Sequence, residues 1–387
     1  MSINTISTLT EFEDLFKRNL RGIFKDEKAR DERIRKFYEL IVLKKNASPL
    51  ASTKKETLRR ISVVLTTKCN LKCVWCHREE KHVVDSGYLE KNIEIEKLKK
   101  LLPQLKGFHV LTWGGLGEPM LNKNFYEATK LARKYIPIVK TVCNGTTLVE
   151  KNVQKLKDSG LNFIEVSIDG FNEEANLRLR GAHESGIIKN IKNLSDETNI
   201  PIQINTVVSE ENYDSLFSAI HKLKDVKNIV AMHTIPLFMT KHMQEIGIKP
   251  LAQPKYEHLL KSWKKDIDEL GLNIELSPNL DQMNFDPVNF MKKEHNICFS
   301  PFEDPSINVD GHIAPCSRLQ HLSLGNVFES GFEKAWNSDR MVKFRQEQLK
   351  GNYGDLCQRE CNMKVTCKKS LQERTKIHKE IHPSISG

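Results

Sequence analysis

Six short runs rich in β-branched and aromatic residues recur along the chain, at 61–65, 109–113, 138–142, 163–168, 202–208 and 229–235, and longer stretches of helical periodicity separate them. Strands separated by roughly 20 to 40 residues of helix cannot pair as hairpins. They run parallel with helical crossovers, so the chain is of the α/β class, as an open sheet or as a full or partial barrel. In such folds the chemistry gathers where the strands end. Here the first four strands lead into Cys69-x-x-x-Cys73-x-x-Cys76, Gly114-Gly-Leu-Gly-Glu-Pro119, Asn144-Gly145 and Ser167-Ile-Asp-Gly170. Residues 1–55 read as a charged helical extension, with helices at 11–21 and 27–44 and a loop at 46–53, and residues 56–250 hold the six units. From about Leu251 the rhythm breaks into a helix, an irregular stretch and five further cysteines, which we read as a second domain over 251–387.

Where the protein resides decides how nine cysteines are read. No run approaches the roughly 18 apolar residues of a membrane helix, so no membrane partner is expected. The first residues carry Glu11, Glu13, Asp14, Lys17 and Arg18 in place of the apolar block of a secretory signal. A cytoplasmic location follows, where grouped cysteines are metal ligands or catalytic groups more often than disulfides. The net charge of +10 is densest in the tail at 364–379. Such a run is a solvated face or, in a nucleic-acid-directed metal-binding protein, a phosphate contact; nucleic acid is the less favoured partner.

Three thiolates in one loop can hold three irons of a [4Fe–4S] cube and leave the fourth open. The same residues also fit three core cysteines on a helix face, or a zinc knuckle with His77 as fourth ligand. With Trp75 just before the last cysteine and the glycine motifs at the following strand ends, the chain resembles the radical SAM superfamily. The resemblance implies a partial (β/α)6 parallel barrel and a cluster at Cys69, Cys73 and Cys76 whose open iron is chelated by S-adenosylmethionine. It also implies reductive cleavage of that cofactor to a 5′-deoxyadenosyl radical, with a low-potential electron donor such as flavodoxin or ferredoxin. Carried over residue by residue, the cofactor-binding candidates are Gly114, Gly115, Gly117, Glu118, Asn144, Ser167, Asp169 and Arg180. The guanidinium of Arg180 suits the cofactor carboxylate, and Glu118 suits support of its loop. Asn205, Glu165 and His233 stand near strand ends and are either substrate-facing or hydrogen-bonded core groups.

In the C-terminal part, Gly311 sits at a hairpin turn between Cys298 and Cys316, and Cys357, Cys361 and Cys367 follow. This region resembles the SPASM or twitch extension of radical SAM enzymes, with the trailing cysteines spaced differently from the full pattern. It implies one auxiliary [4Fe–4S] cluster held by Cys298, Cys316, Cys357 and Cys361, with Cys367 able to replace one of the last two. A zinc site of Cys357, Cys361, Cys367 and His378 is the competing reading. Cys143 and Cys367 are small buried hydrophobes or hydrogen-atom donors to a substrate radical. The resemblance implies hydrogen-atom abstraction in ribosomal peptide maturation, by oxidation, epimerisation or cross-linking. The alternative substrate is a small molecule, a sugar or aminocyclitol.

Overall fold

The computed structural model describes residues 58, 60–237, 239, 241–277, 300–303, 305–317, 319–320 and 322–349. The N-terminal extension, Cys298, Cys357, Cys361, Cys367, His378 and the basic tail lie outside the described residues.

Among the described residues nine strands form one sheet: β1 (Arg60–Val63), β2 (Val110–Trp113), β3 (Ile138–Cys143), β4 (Phe163–Ser167), β5 (Ile202–Val208), β6 (Ile229–Pro236), β7 (Glu275–Ser277), β8 (Ser306–Ile307) and β9 (Ile313–Ala314). Their order is β7-β6-β5-β4-β3-β2-β1-β8-β9, open at both ends, which is the expected partial barrel rather than a closed one. Every pairing is parallel except β8 with β9. Crossovers run through α1 (Ile95–Leu101), α2 (Phe125–Ala132), α3 (Glu150–Ser159), α4 (Glu173–Arg180), α5 (Glu184–Glu197) and α6 (Gln253–Glu269). After the sixth strand, α6 and β7 add a further unit, with β7 parallel to β6.

Residues in register on neighbouring strands share a face, and the two faces differ in character. Val63, Trp113, Thr141 and Ile164 lie in one row, with Cys143, Val166, Ile204 and Met232 in the next, all buried on the helix-covered side. The opposite, inner face carries polar residues: Thr112 beside Lys140, Glu165 beside Gln203, and Ser167, Asn205, His233 and Ser277 in one row. Beneath them Val110, Ile138 and Phe163 form a small apolar plug.

The hairpin β8–β9 extends the sheet past β1, with Ser62 opposite Ser306, and Gly311 turns it at φ +85°. Behind it the rings of Phe108 and Phe332 meet edge to face at 5.3 Å, and Gln104 Oε1 accepts from the Phe332 amide at 2.9 Å. Arg345, on α7 (Asp339–Leu349), is fully buried over the ring of Trp336 at 4.2 Å and donates to the carbonyls of Pro301 and Trp336. One hydrophobic core runs from Leu58 to Met341, across the expected boundary near 250.

Candidate active site and cluster-binding loop

β1 runs into the cysteine loop, and side chains at its start fix the backbone. Thr66 Oγ1 donates to the Lys91 carbonyl at 2.9 Å and accepts from the Lys68 amide at 3.0 Å, while Thr67 Oγ1 donates to the Tyr88 carbonyl at 3.1 Å. The Cys76 amide donates to the Cys73 carbonyl at 3.0 Å, closing the turn that carries the last two thiols. Cys69, Cys73 and Cys76 are half-buried and outside any disulfide. Burial pushes all three thiols up, Cys73 to about 12, with Arg180 pulling the other way. Cys73 also feels Cys76 and Cys69, and Cys76 feels Cys69, so the three lie within electrostatic reach of one another. Without metal they are thiols, and metal binding there must release protons.

The C-terminal end of α4 holds this loop from one side. The Val74 amide donates to the Leu179 carbonyl at 2.9 Å, and Cys73 Sγ lies 3.9 Å from the Arg180 carbonyl. Asp169, just beyond β4, is the hub: Oδ2 accepts from Trp75 Nε1 at 3.1 Å and from Arg180 Nη1 at 2.5 Å, and Oδ1 accepts from the Val207 amide at 2.7 Å. Asn212 Nδ2 donates to the Asp169 carbonyl, and Asn176 Oδ1 accepts from the Asp169 and Gly170 amides. Burial alone would lower Arg180, but Asp169 and Cys73 outweigh it and hold the guanidinium above its ordinary range. Arg180 Nε is buried and has no partner among the described residues.

The glycine motif after β2 packs against the same loop. A Cβ on Gly117 would stand 2.2 Å from the Thr66 carbonyl oxygen and 2.8 Å from that of Lys68, so only glycine fits there. Gly115 holds φ +130°, and Gly114 has ordinary room. Glu118 ties this motif to the next: its carboxylate accepts from the Asn144 amide at 2.7 Å and from Thr147 Oγ1 at 3.4 Å, and its own amide donates to the Lys68 carbonyl. Burial raises its carboxyl to about 7 despite those donors. Asn144 Nδ2 in turn donates to Asn70 Oδ1 at 2.9 Å, and Asn70 Nδ2 donates to Thr146 Oγ1 at 2.8 Å.

Deeper in the barrel, Glu165 accepts from Lys140 Nζ and, at 2.9 Å, from Asn205 Nδ2, while Gln203 Nε2 donates to Asn205 Oδ1 at 2.7 Å. Burial would raise the Glu165 carboxyl, but Lys140 and Asn205 outweigh it and hold it below the usual carboxylate range. Burial lowers the half-buried His233, against the pull of Glu165. Cys143 lies on the opposite, helix-covered face, 3% exposed in the hydrophobic core, and burial drives its thiol well up. A thiol placed there packs as a core group, in keeping with the buried-hydrophobe reading of this residue. Cys316 is half-buried beyond β9; its expected partners are outside the described residues.

Several contributors escaped the sequence reading: Asn70, Asn176, Asn212, Thr146 and Lys140. Lys140 and Glu165 had a usable signal, since each is the lone charge in an otherwise apolar strand and the two strands are neighbours. The asparagines had none.

A cluster with S-adenosylmethionine fits these residues. Three thiols gather in one loop, an arginine beside them keeps a buried donor unpaired, and a carbonyl-lined wall admits only glycine. A cube takes one thiolate per iron, so three thiols in one loop can hold three of its irons. His77 Nδ1 meets Glu80 Oε1 at 3.2 Å.

Fold and loop together define a class of iron–sulfur enzymes that use S-adenosylmethionine. Residues 63–223 match the radical SAM superfamily, and residues 298–362 match the SPASM iron–sulfur cluster-binding domain. The chain carries these two domains and is an enzyme of the radical SAM type; they imply a [4Fe–4S] cluster that binds S-adenosylmethionine, and auxiliary iron–sulfur ligation. It is 27% identical over 319 residues to an AdoMet-dependent heme synthase of Methanosarcina barkeri, covering 78% of this chain and 88% of that protein. With a probable GTP 3′,8-cyclase of Thermoplasma volcanium it shares 26% identity, over 74% of this chain and 82% of the relative. Among solved structures, Streptococcus suis SuiB bound to S-adenosylmethionine superposes with a TM-score of 0.61 at 15% identity, covering 86% of this chain and 77% of SuiB. Native anSMEcpe with AdoMet and a peptide gives 0.56 at 16% identity, over 84% and 96%. These last two share the fold. Among the described residues no helix is long and apolar enough to cross a membrane.

Proposed function

We propose that this enzyme abstracts a hydrogen atom from an unactivated C–H bond of its substrate. The observation that carries this is the cysteine loop held between Arg180 and the glycine motif, with the buried Nε of Arg180 left without a partner among the described residues. When bound, the cluster and S-adenosylmethionine supply electron transfer and a 5′-deoxyadenosyl radical. The chain's own part is positional. Asp169 holds Arg180 and Trp75 against the loop, Glu118 joins the glycine motif to Asn144, and Lys140, Glu165, Asn205 and His233 offer the substrate a polar wall above the apolar plug.

For the substrate, our first reading is a ribosomal peptide undergoing oxidation, epimerisation or cross-linking, supported by the SPASM match and by the fold shared with SuiB, whose structure is also known bound to its precursor peptide. A second reading, a small molecule, is favoured by the long alignment with AdoMet-dependent heme synthases.

Anaerobic reconstitution with iron and sulfide tests the chemistry. Wild type should hold about eight irons and release 5′-deoxyadenosine under reduction, and a variant with Cys69, Cys73 and Cys76 all changed to alanine should hold about four and release none. Equal 5′-deoxyadenosine from both proteins would overturn the assignment. Substrate dependence then separates the readings: precursor peptides and iron-coproporphyrin are offered in parallel, and incorporation of deuterium from labelled substrate into 5′-deoxyadenosine identifies the one attacked.

A further inference from the structure

We propose that His233 anchors the substrate in the barrel, and that the substrate meets it with an uncharged N–H or O–H donor, a peptide amide or a hydroxyl. This role rests on the hydrogen-abstraction reading above, and it narrows the class of substrate that the barrel admits.

The half-buried residues of β2 to β6 fall on the inner face of the sheet, Thr112, Lys140, Ser167, Val207 and His233 among them. A parallel sheet packed against protein on both sides is buried throughout, so this face lines a lumen that solvent reaches. Ser167, Asn205 and His233 share one row across β4, β5 and β6. Two residues further along β5, roughly 7 Å on, the Val207 amide donates to Asp169, which in turn holds Trp75 and Arg180 at the cysteine loop. His233 therefore stands on the lumen wall one step below the level at which that loop is held.

The polar belt around His233 is otherwise closed. One carboxylate oxygen of Glu165 accepts from Lys140 Nζ and the other from Asn205 Nδ2 at 2.9 Å, and Asn205 Oδ1 accepts from Gln203 Nε2 at 2.7 Å. His233 makes no hydrogen bond among the described residues, and its ring is half-buried on the wall. Polar groups in such a place find partners, so the partner of this imidazole comes from the lumen. Burial holds the ring below its ordinary value despite Glu165, so at neutral pH it is uncharged and presents one acceptor nitrogen. The ion pair beside it sets the charge of what can arrive. A second carboxylate would meet Glu165, whose cation is already engaged, and a second cation would meet Lys140; like charges placed together cost affinity in both cases. An uncharged donor meets neither repulsion.

The experiment follows the histidine ring nitrogens by heteronuclear magnetic resonance, on the isotope-labelled, reconstituted full chain with S-adenosylmethionine. The signal lost in His233→Gln is that of His233. Three small probes are titrated at matched ionic strength: N-acetylglycine methylamide for a peptide, myo-inositol for a polyol and glutarate for a carboxylate. A neutral probe should shift the His233 signal saturably and glutarate should not, and the neutral probe that binds separates an amide source from a hydroxyl source. The substrate identified by deuterium transfer supplies a second arm: its KM should rise about three- to tenfold in His233→Leu and less in His233→Gln, which keeps an acceptor. Should His233→Leu fail to load iron, the probe titration of wild type carries the test. A saturable shift with glutarate, no shift with any probe, or equal KM in wild type and His233→Leu overturns the proposal. Failure of wild type to release 5′-deoxyadenosine would instead overturn the hydrogen-abstraction reading and leave the probe result standing.

Discussion

Glu118 shows how a single side chain links two strand ends. Its carboxyl is fully buried and raised to about 7. A carboxyl that binds its proton more tightly when folded contributes stability that is complete below its unfolded value, near 4.5, and is lost as pH rises through 7. At about 1.4 kcal/mol for each tenfold change in proton affinity, the metal-free chain should lose on the order of 3 kcal/mol across that window. Glu118→Gln should flatten the dependence, as urea midpoints between pH 4.5 and 7.5 will show. Asp169→Ala should cost about 3–5 kcal/mol, because it leaves Arg180 buried without its carboxylate and strands the Val207 amide; the same titration at pH 7 measures it. Part of this scale was legible through the family resemblance, which named Glu118 and Asp169 from motifs beyond strand ends and Arg180 from Leu179-Arg-Gly181 at the end of a helix. Their partners were not, since which asparagine reaches which carbonyl depends on crossings between segments distant in sequence, as for Asn212 with Asp169.

Elements were read more surely than contacts. Parallel strands buried on one face are dense apolar runs, so five of the six expected strands match the observed bounds within two residues and 202–208 matches fully. β7 went unseen because three residues, Glu275–Ser277, are too few to show a period. The glycine motif gives the sharpest test at this level. Gly117→Ala must push Thr66 and Lys68 backbone aside and should cost at least about 2–3 kcal/mol along with most of the reconstitutable iron. Gly186→Ala is the control: it lies in α5 with nothing within 4 Å of the added Cβ, and it should raise stability by up to about 1 kcal/mol and leave iron content unchanged. Thermal melts and iron analysis of the two variants side by side decide it.

Across the whole molecule, the described parts of the two domains share a core. Phe108 against Phe332, Gln104 on the Phe332 amide, and Lys91 paired with Asp310 at 2.8 Å all join the barrel to the C-terminal part. Denaturation of the metal-free protein should therefore be one transition, and Trp336→Ala should lower it as a whole by about 3–5 kcal/mol without separating a barrel phase. Circular dichroism and tryptophan fluorescence should give coincident curves. This unity was hard to see in advance, because a break in sequence rhythm near 250 looks like a boundary even where side chains such as Trp263 pack back into the same interior. The pairing of β1 with β8 also has a temporal side. The ribosome makes residues 60–63 early, yet the strand that covers their outer edge emerges some 240 residues later. At about 5–20 residues per second the open edge persists for tens of seconds in every nascent chain. An unpaired edge of that kind invites pairing with other chains. Expression slowed by rare codons between β2 and β8 should therefore raise the fraction that aggregates, whereas chaperones that shield nascent strands should lower it.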